Sequence, residues 1–265
     1  MSEERKKYLQ KIKYEKILVL ASQILLLISF LAIWEIGANN GWIDSFITSS
    51  PSRILSTFRN FASNNLINHI KVTMYETFIG FSLGTIIGFA VAIILWWSRT
   101  ISKIAEPYLV ILNSLPKVAL GPIIIIWVGA GTGAIIVMAI AISLIVTILD
   151  ILNGFLNTDK DLIKMTKTFN ATKYQVLTKI IIPSNISTFI NSLKINIGLS
   201  LVGVISGEFL ISKAGLGYLI TYGGQVFKLD LVMSSVIILG IVAGLMYLSV
   251  LLLEKVILVR KGMKK

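Results

Sequence analysis

Cysteine is absent from the 265-residue chain, and histidine occurs once, at His69. Disulfides and thiolate metal sites are thereby excluded. Histidine-ligated metal chemistry and a histidine general base are disfavoured, although carboxylate chemistry is not. Charge is scarce as well: Asp, Glu, Lys and Arg together make up 14% of the residues, while 55% are hydrophobic. A soluble domain carries roughly 25% charge. So few polar side chains cannot cover a water-facing surface, which points to an integral membrane protein with one membrane domain. Acids are the scarcer sign, 13 against 25 basic residues, for a net charge of +12. That excess is not read as a nucleic-acid footprint, because membrane proteins gather Lys and Arg on the cytoplasmic side, where they set orientation.

What is present is a series of apolar runs. Ile17 to Ile36 spans about 20 residues, enough to cross a hydrocarbon core of about 30 Å. It exceeds the apolar stretch of a secretory signal and is read as a retained first span, with Trp34 as its interface anchor. Further spans are expected at Thr77–Trp97, from near Ala105 onward, and at Ala134–Leu152, Thr188–Leu210 and Leu231–Leu253. The expected class is all-α, polytopic, with about six transmembrane helices.

Several features between and within the spans carry information. Ser50-Pro51 reads as a helix start. Ile54, Leu55, Phe58 and Phe61 follow at helical spacing, for a short amphipathic helix that either lies on the membrane surface or packs on the spans. Gly80, Gly84 and Gly88 open one face of span 2 to close helix approach, within the chain or at a dimer seam. Pro107, Pro116 and Pro122 all fall in span 3, which should therefore be broken or bent. Irregular backbone at membrane depth is tolerated only against protein or a water-filled cavity, so Pro116, Lys117 and Pro122 are candidates for lining a path. Lys117 either contacts solute or bonds to carbonyls freed at the bend. Glu208, near the end of span 5, joins that candidate set.

One stretch cannot lie in lipid. Asn157–Pro183, NTDKDLIKMTKTFNATKYQVLTKIIIP, is polar and rich in lysine. Thr158 with Asp161 resembles a capping box. Leu162, Met165, Thr166 and Phe169 recur on one helical face. Asn170 suits the left-handed turn that ends helices. Thr172 with Gln175 forms a second capping box, and Pro183 should stop the run. The expectation is helix, turn, helix, either docking into a partner's groove or packing as a loop helix with a solvated face. Placing this insert in the cytoplasm puts 18 Lys and Arg, including Lys164 and Lys167, on the side shared with both termini, against five on the other. The asymmetry supports that orientation.

The insert resembles the cytoplasmic coupling loop of ABC importer permeases. Lys164, Met165 and Thr166 stand where that family usually has an acidic residue and two alanines, and Asn170 stands at its glycine. Ala171, Thr172, Gln175 and Ile182-Pro183 fit the pattern. LPKVALGPIIIIWVGAG (Leu115 to Gly131), GEFL (Gly207 to Leu210) and GLGYLI (Gly215 to Ile220) are very like the nitrate, sulfonate and taurine group of these permeases. The resemblance implies a transport subunit without its own chemistry, in a bacterial cell membrane. It implies a second permease subunit, two cytoplasmic ATPases that bind ATP and Mg and dock on the insert, and an external binding protein that delivers solute. The chain itself has no G-x-x-x-x-G-K-[ST] phosphate loop and no cofactor expected of its own. The implied division is 1–48 as amino terminus and first span, 49–256 as the importer transmembrane domain and 257–265 as a basic tail. Two other classes have different requirements. An ion-gradient transporter would favour mid-span carboxylates, whereas Asp150, Glu106 and Glu208 sit near span ends. A membrane enzyme would need clustered nucleophiles or ligands.

Overall fold

In a computed structural model, residues 3–59 and 65–260 are described. Among them the chain is mostly helical and forms no strand. The helices are α1 (Glu3–Asn39), α2 (Ser45–Thr48), α3 (Pro51–Arg59), α4 (Leu66–Trp97), α5 (Arg99–Ser114), α6 (Gly121–Val128) and α7 (Thr132–Leu156). They continue as α8 (Lys160–Thr168), α9 (Lys173–Val176), α10 (Ile182–Ser184), α11 (Ile186–Ile211), α12 (Leu216–Gln225) and α13 (Leu229–Arg260). Five are long and apolar enough to cross a membrane, and a sixth crossing exists if α5 and α6 form one span. That pair is bent by 87°. The break falls at Leu115–Pro116, followed by a short 3₁₀ turn, Lys117–Leu120. The predicted bend thus falls at Pro116, whereas Pro107 lies inside unbroken α5 and Pro122 sits in the first turn of α6, where its missing N–H is not needed.

The described residues divide into two compact units. The first comprises Met1–Phe61 with Gly223–Ser234. Its polar knot is built on Arg53. The guanidinium donates to Asp230 Oδ2 at 2.8 and 3.2 Å and to Ser45 O at 3.0 Å, while Ser49 Oγ donates to Asp230 Oδ1 at 2.7 Å. Pro51 opens α3 as expected, and Ile54 is buried beneath it, so this helix packs within its unit. Phe61 and residues 261–265 lie outside the described residues. The apolar window of α1 is wholly unburied within the chain.

The second unit, Ala62–Tyr222 with Ser235–Lys265, is centred on α4, α7 and α11. The glycine stripe of α4 is the reason these helices approach so closely. A Cβ at Gly80 would sit 2.5 Å from Ala139 Cβ, at Gly84 2.5 Å from Ser143 Oγ, and at Gly88 2.6 Å from Thr147 Cγ2. Gly203 of α11 meets Ala139 Cα in the same way, at 2.5 Å. The stripe is therefore spent on packing inside the chain. Gly84→Leu should push α4 off α7 and cost about 1–3 kcal/mol or more by overpacking, read as a lower melting temperature of the detergent-solubilised protein. Lys194, in the first half of α11, is paired with Glu254 of α13 at 2.7 Å.

Candidate functional site

The insert folds as two capped helices. The first cap is Asp159, one residue later than the sequence pattern suggests. Asp161 N–H donates to Asp159 Oδ1 at 2.8 Å, and Ile163 N–H donates to the Asp159 carbonyl at 3.3 Å. Thr158 is buried instead, donating to Gly154 O at 3.3 Å and accepting from Asn185 Nδ2 at 2.7 Å. Its hydroxyl ties the end of α7 to the start of α11 and cannot also cap α8. At the other end Asn170 is left-handed, with φ +50°, and Ala171 N–H reaches back to Thr166 O at 3.1 Å. This is the bond that a left-handed cap allows. The second box is complete: Thr172 Oγ1 accepts from Gln175 N–H, and Gln175 Oε1 accepts from Thr172 N–H at 2.8 Å.

Pro183 does not stop the run. Leu177–Ile181 widens into a π turn in which Ile182 N–H bonds to Leu177 O, and α10 follows with Pro183 in its first turn. The wider turn precedes the residue that has no N–H to give. The chain breaks only at Asn185, before α11.

The insert is pinned from below. Leu177 and Ile181 are buried against Leu152, Phe155 and Ile148 of α7 and Ala92 of α4, with Ile163 and Val176 packed on the same cluster. Lys173 Nζ donates to Trp97 O and lies 5.8 and 5.5 Å from the ring centres of Trp96 and Trp97. A lysine over two indoles at the end of α4 holds the insert against the spans. The contact joins residues 76 apart in sequence, so no local pattern signals it.

The upper face is different. Leu162, Met165 and Phe169 are 37%, 50% and 77% exposed. Thr166, placed with them by periodicity, turns inward: it is buried, and its hydroxyl donates to Ile163 O at 2.7 Å. Lys164 points to solvent and pairs with Asp161 at 2.9 Å, both side chains largely exposed. Such a pair contributes about 0.3–0.5 kcal/mol. Lys164→Glu should accordingly leave the melting temperature within the range of an ordinary surface change, about 0.5 kcal/mol. Ala171 is half-buried, Thr172 and Gln175 are exposed, and the Lys167 side chain lies outside the described residues.

Span 3 supplies Pro116, Lys117 and Pro122. Lys117 Nζ donates to Asn113 O at 3.0 Å and Oδ1 at 3.2 Å. It closes the break by taking up a carbonyl that the bend has freed. Pro122 is exposed within the chain.

Glu208 faces protein, at 1% exposure, and not an open path. Its carboxylate accepts from Thr73 Oγ1 at 2.6 Å and from Gly217 N–H at 2.5 Å. Leu216 N–H donates to Thr73 Oγ1 at 2.8 Å, and Gly215 N–H to Nδ1 of His69 at 2.9 Å. Three consecutive N–H groups at the start of α12 are thus received by side chains from α4 and α11. The stretch around GLGYLI, between the expected fifth and sixth spans, is a helix for this reason. Its cap comes from residues far away in sequence.

Glu76 was missed. It is 1% exposed and within side-chain reach of Glu208 and Thr132, and its Oε2 has no hydrogen-bond partner among the described residues. It lies one residue before the apolar run that opens at Thr77, inside the longer helix α4. A carboxylate within the helical run from Leu66 would otherwise have marked it.

Together these features define a multi-pass, all-α membrane protein whose broken third span and pinned helical insert belong to transporter architecture. Residues 84–261 match the family described as binding-protein-dependent transport system inner membrane component. The chain belongs to this family; it is a permease subunit of the importer class. A probable ABC transporter permease protein of Haemophilus influenzae is 30% identical over 83% of this chain and 89% of its own length. A putative aliphatic sulfonates transport permease protein, SsuC of Bacillus subtilis, is 25% identical over 86% of this chain and 83% of its own length. The MetNI methionine ABC transporter, solved in an inward-facing conformation, has a chain that superposes with a TM-score of 0.63 at 20% identity, covering 76% of this chain and 96% of its own.

Proposed function

We propose that this permease is driven by a separate cytoplasmic ATPase that docks on α8. The observation that carries this is the exposed apolar row Leu162, Met165 and Phe169 on a helix pinned to the ends of α4 and α7. A short apolar row in water fits a groove in a partner, and its rigid attachment transmits movement of that partner to the spans. Two copies of the chain would form the pathway, with the broken span around Pro116, Lys117 and Pro122 against it. ATP and Mg would sit in the ATPases, and an extracytoplasmic binding protein would deliver a small solute of sulfonate, nitrate, taurine or vitamin-precursor type. Both termini and the insert face the cytoplasm in this reading.

The test is to co-produce the tagged chain with the ATPase encoded beside it and purify in mild detergent. A stoichiometric soluble ATPase in the eluate supports the proposal. Solute uptake by the purified chain alone, driven by an ion gradient, would overturn it.

A further inference from the structure

Where α7 ends and α11 begins, next to the insert, lies a cleft of about 500 Å³. Unlike the lipid-like faces around it, its lining is polar: Asp150, Asn153, Asn157, Asn185, Asn191 and Ser192 are among its walls. Asp150 is the only charged residue of α7, and it has no ion-pair partner among the described residues. Lys194, the only cation on α11, is tied to Glu254 and does not line the cleft. Asn185 has committed both amide hydrogens, to Thr158 Oγ1 at 2.7 Å and Ile181 O at 2.9 Å. Its Oδ1 remains as an acceptor beside Gly154, 2.9 Å from where a Cβ would stand, so that glycine leaves the oxygen room.

The cleft thus offers a carboxylate, a spare carbonyl and further neutral amides, with no Lys or Arg. Anion sites built on charged side chains use the opposite chemistry, guanidinium forks or ammonium groups. A carboxylate accepts hydrogen bonds only, and amides both give and accept. Polar side chains this close to a bilayer normally face protein or water.

We propose that this cleft is the solute vestibule at the insert end of the pathway, selecting solutes that bring N–H donors or positive charge and disfavouring bare anions. The proposal rests on the permease reading above and narrows its solute class towards amine-bearing or neutral nitrogen-rich molecules.

The absence of native cysteine allows a direct test. Asn191→Cys, in the full chain assembled with its ATPase in inside-out vesicles, is treated with two methanethiosulfonates, one carrying a trimethylammonium group and one a sulfonate. The ratio of cationic to anionic labelling rates should be about tenfold higher than in Asn191→Cys combined with Asp150→Asn, because the carboxylate attracts one reagent and repels the other. Lys160→Cys, on the exposed start of α8, reports sidedness separately. If Lys160→Cys reacts from the cytoplasmic side while Asn191→Cys is unreactive, or its ratio ignores Asp150→Asn, the vestibule fails and the permease reading stands. If Lys160→Cys reacts only from the extracytoplasmic side, the orientation itself is wrong, and the vestibule falls with it.

Discussion

Glu208→Ala should leave the protein poorly folded. The change orphans Gly217 N–H and the Thr73 hydroxyl and removes the partner within reach of Glu76, all in a buried site. Each buried group left unsatisfied costs about 1–3 kcal/mol, so the two donors together cost about 2–6 kcal/mol. A large fraction of a marginally stable fold is lost, visible as a collapse of the monodisperse peak after mild heating in detergent. Glu208→Gln keeps one acceptor and the side-chain volume and should lose less. Gly215 provides an independent check. It has φ +117°, and a Cβ there would lie 2.3 Å from the Glu208 carboxyl carbon. Gly215→Ala should be severe alone, and less than additive in the Glu208→Ala background, where the steric part has gone and only backbone strain remains. A coupling of about 1 kcal/mol or more is expected for groups in such contact. Fully additive losses would mean that the two residues do not meet.

Met165→Asp and Phe169→Asp should behave in the opposite way: normal folding and lost transport. Both side chains are exposed on α8, so the melting temperature should stay within about 0.5 kcal/mol of the parent. Uptake should fall at least about tenfold, because a charge replaces an apolar anchor in a partner's groove, where anchors are worth about 2 kcal/mol or more. Both ATPase co-purification and uptake in cells read this effect. Thr166→Arg is a poorer probe: Thr166 is buried, so a loss there mixes damage to the insert with damage to docking.

The spans, the bend at Pro116 and the caps at Asn170 and Thr172–Gln175 were legible because each is local physics. Hydropathy, missing N–H groups and short-range capping act within a few residues. The insert's apolar row was legible only in part. Periodicity groups Thr166 with Met165 and Phe169, but it does not show which edge of the row the spans cover, and Thr166 lies on the covered edge. What stayed hidden depends on residues distant in sequence. Thr158 is drawn away from capping by Asn185. Lys173 is held by Trp96 and Trp97. The first turn of α12 exists because His69, Thr73 and Glu208 receive its N–H groups. GEFL and GLGYLI looked like two separate motifs, and the structure makes them one contact between Glu208 and Gly217.

The proposed contact between α8 and an ATPase, through Leu162, Met165 and Phe169, can be trapped directly. With no native cysteine in the background, Met165→Cys and Phe169→Cys can each carry a short photo-activated cross-linker in cells that make the complete transporter. A covalent product with the ATPase is expected from both positions and none from Lys213→Cys, which lies beyond the opposite end of α11. A product from Lys213→Cys, or the absence of any ATPase product from Met165→Cys and Phe169→Cys, would contradict it.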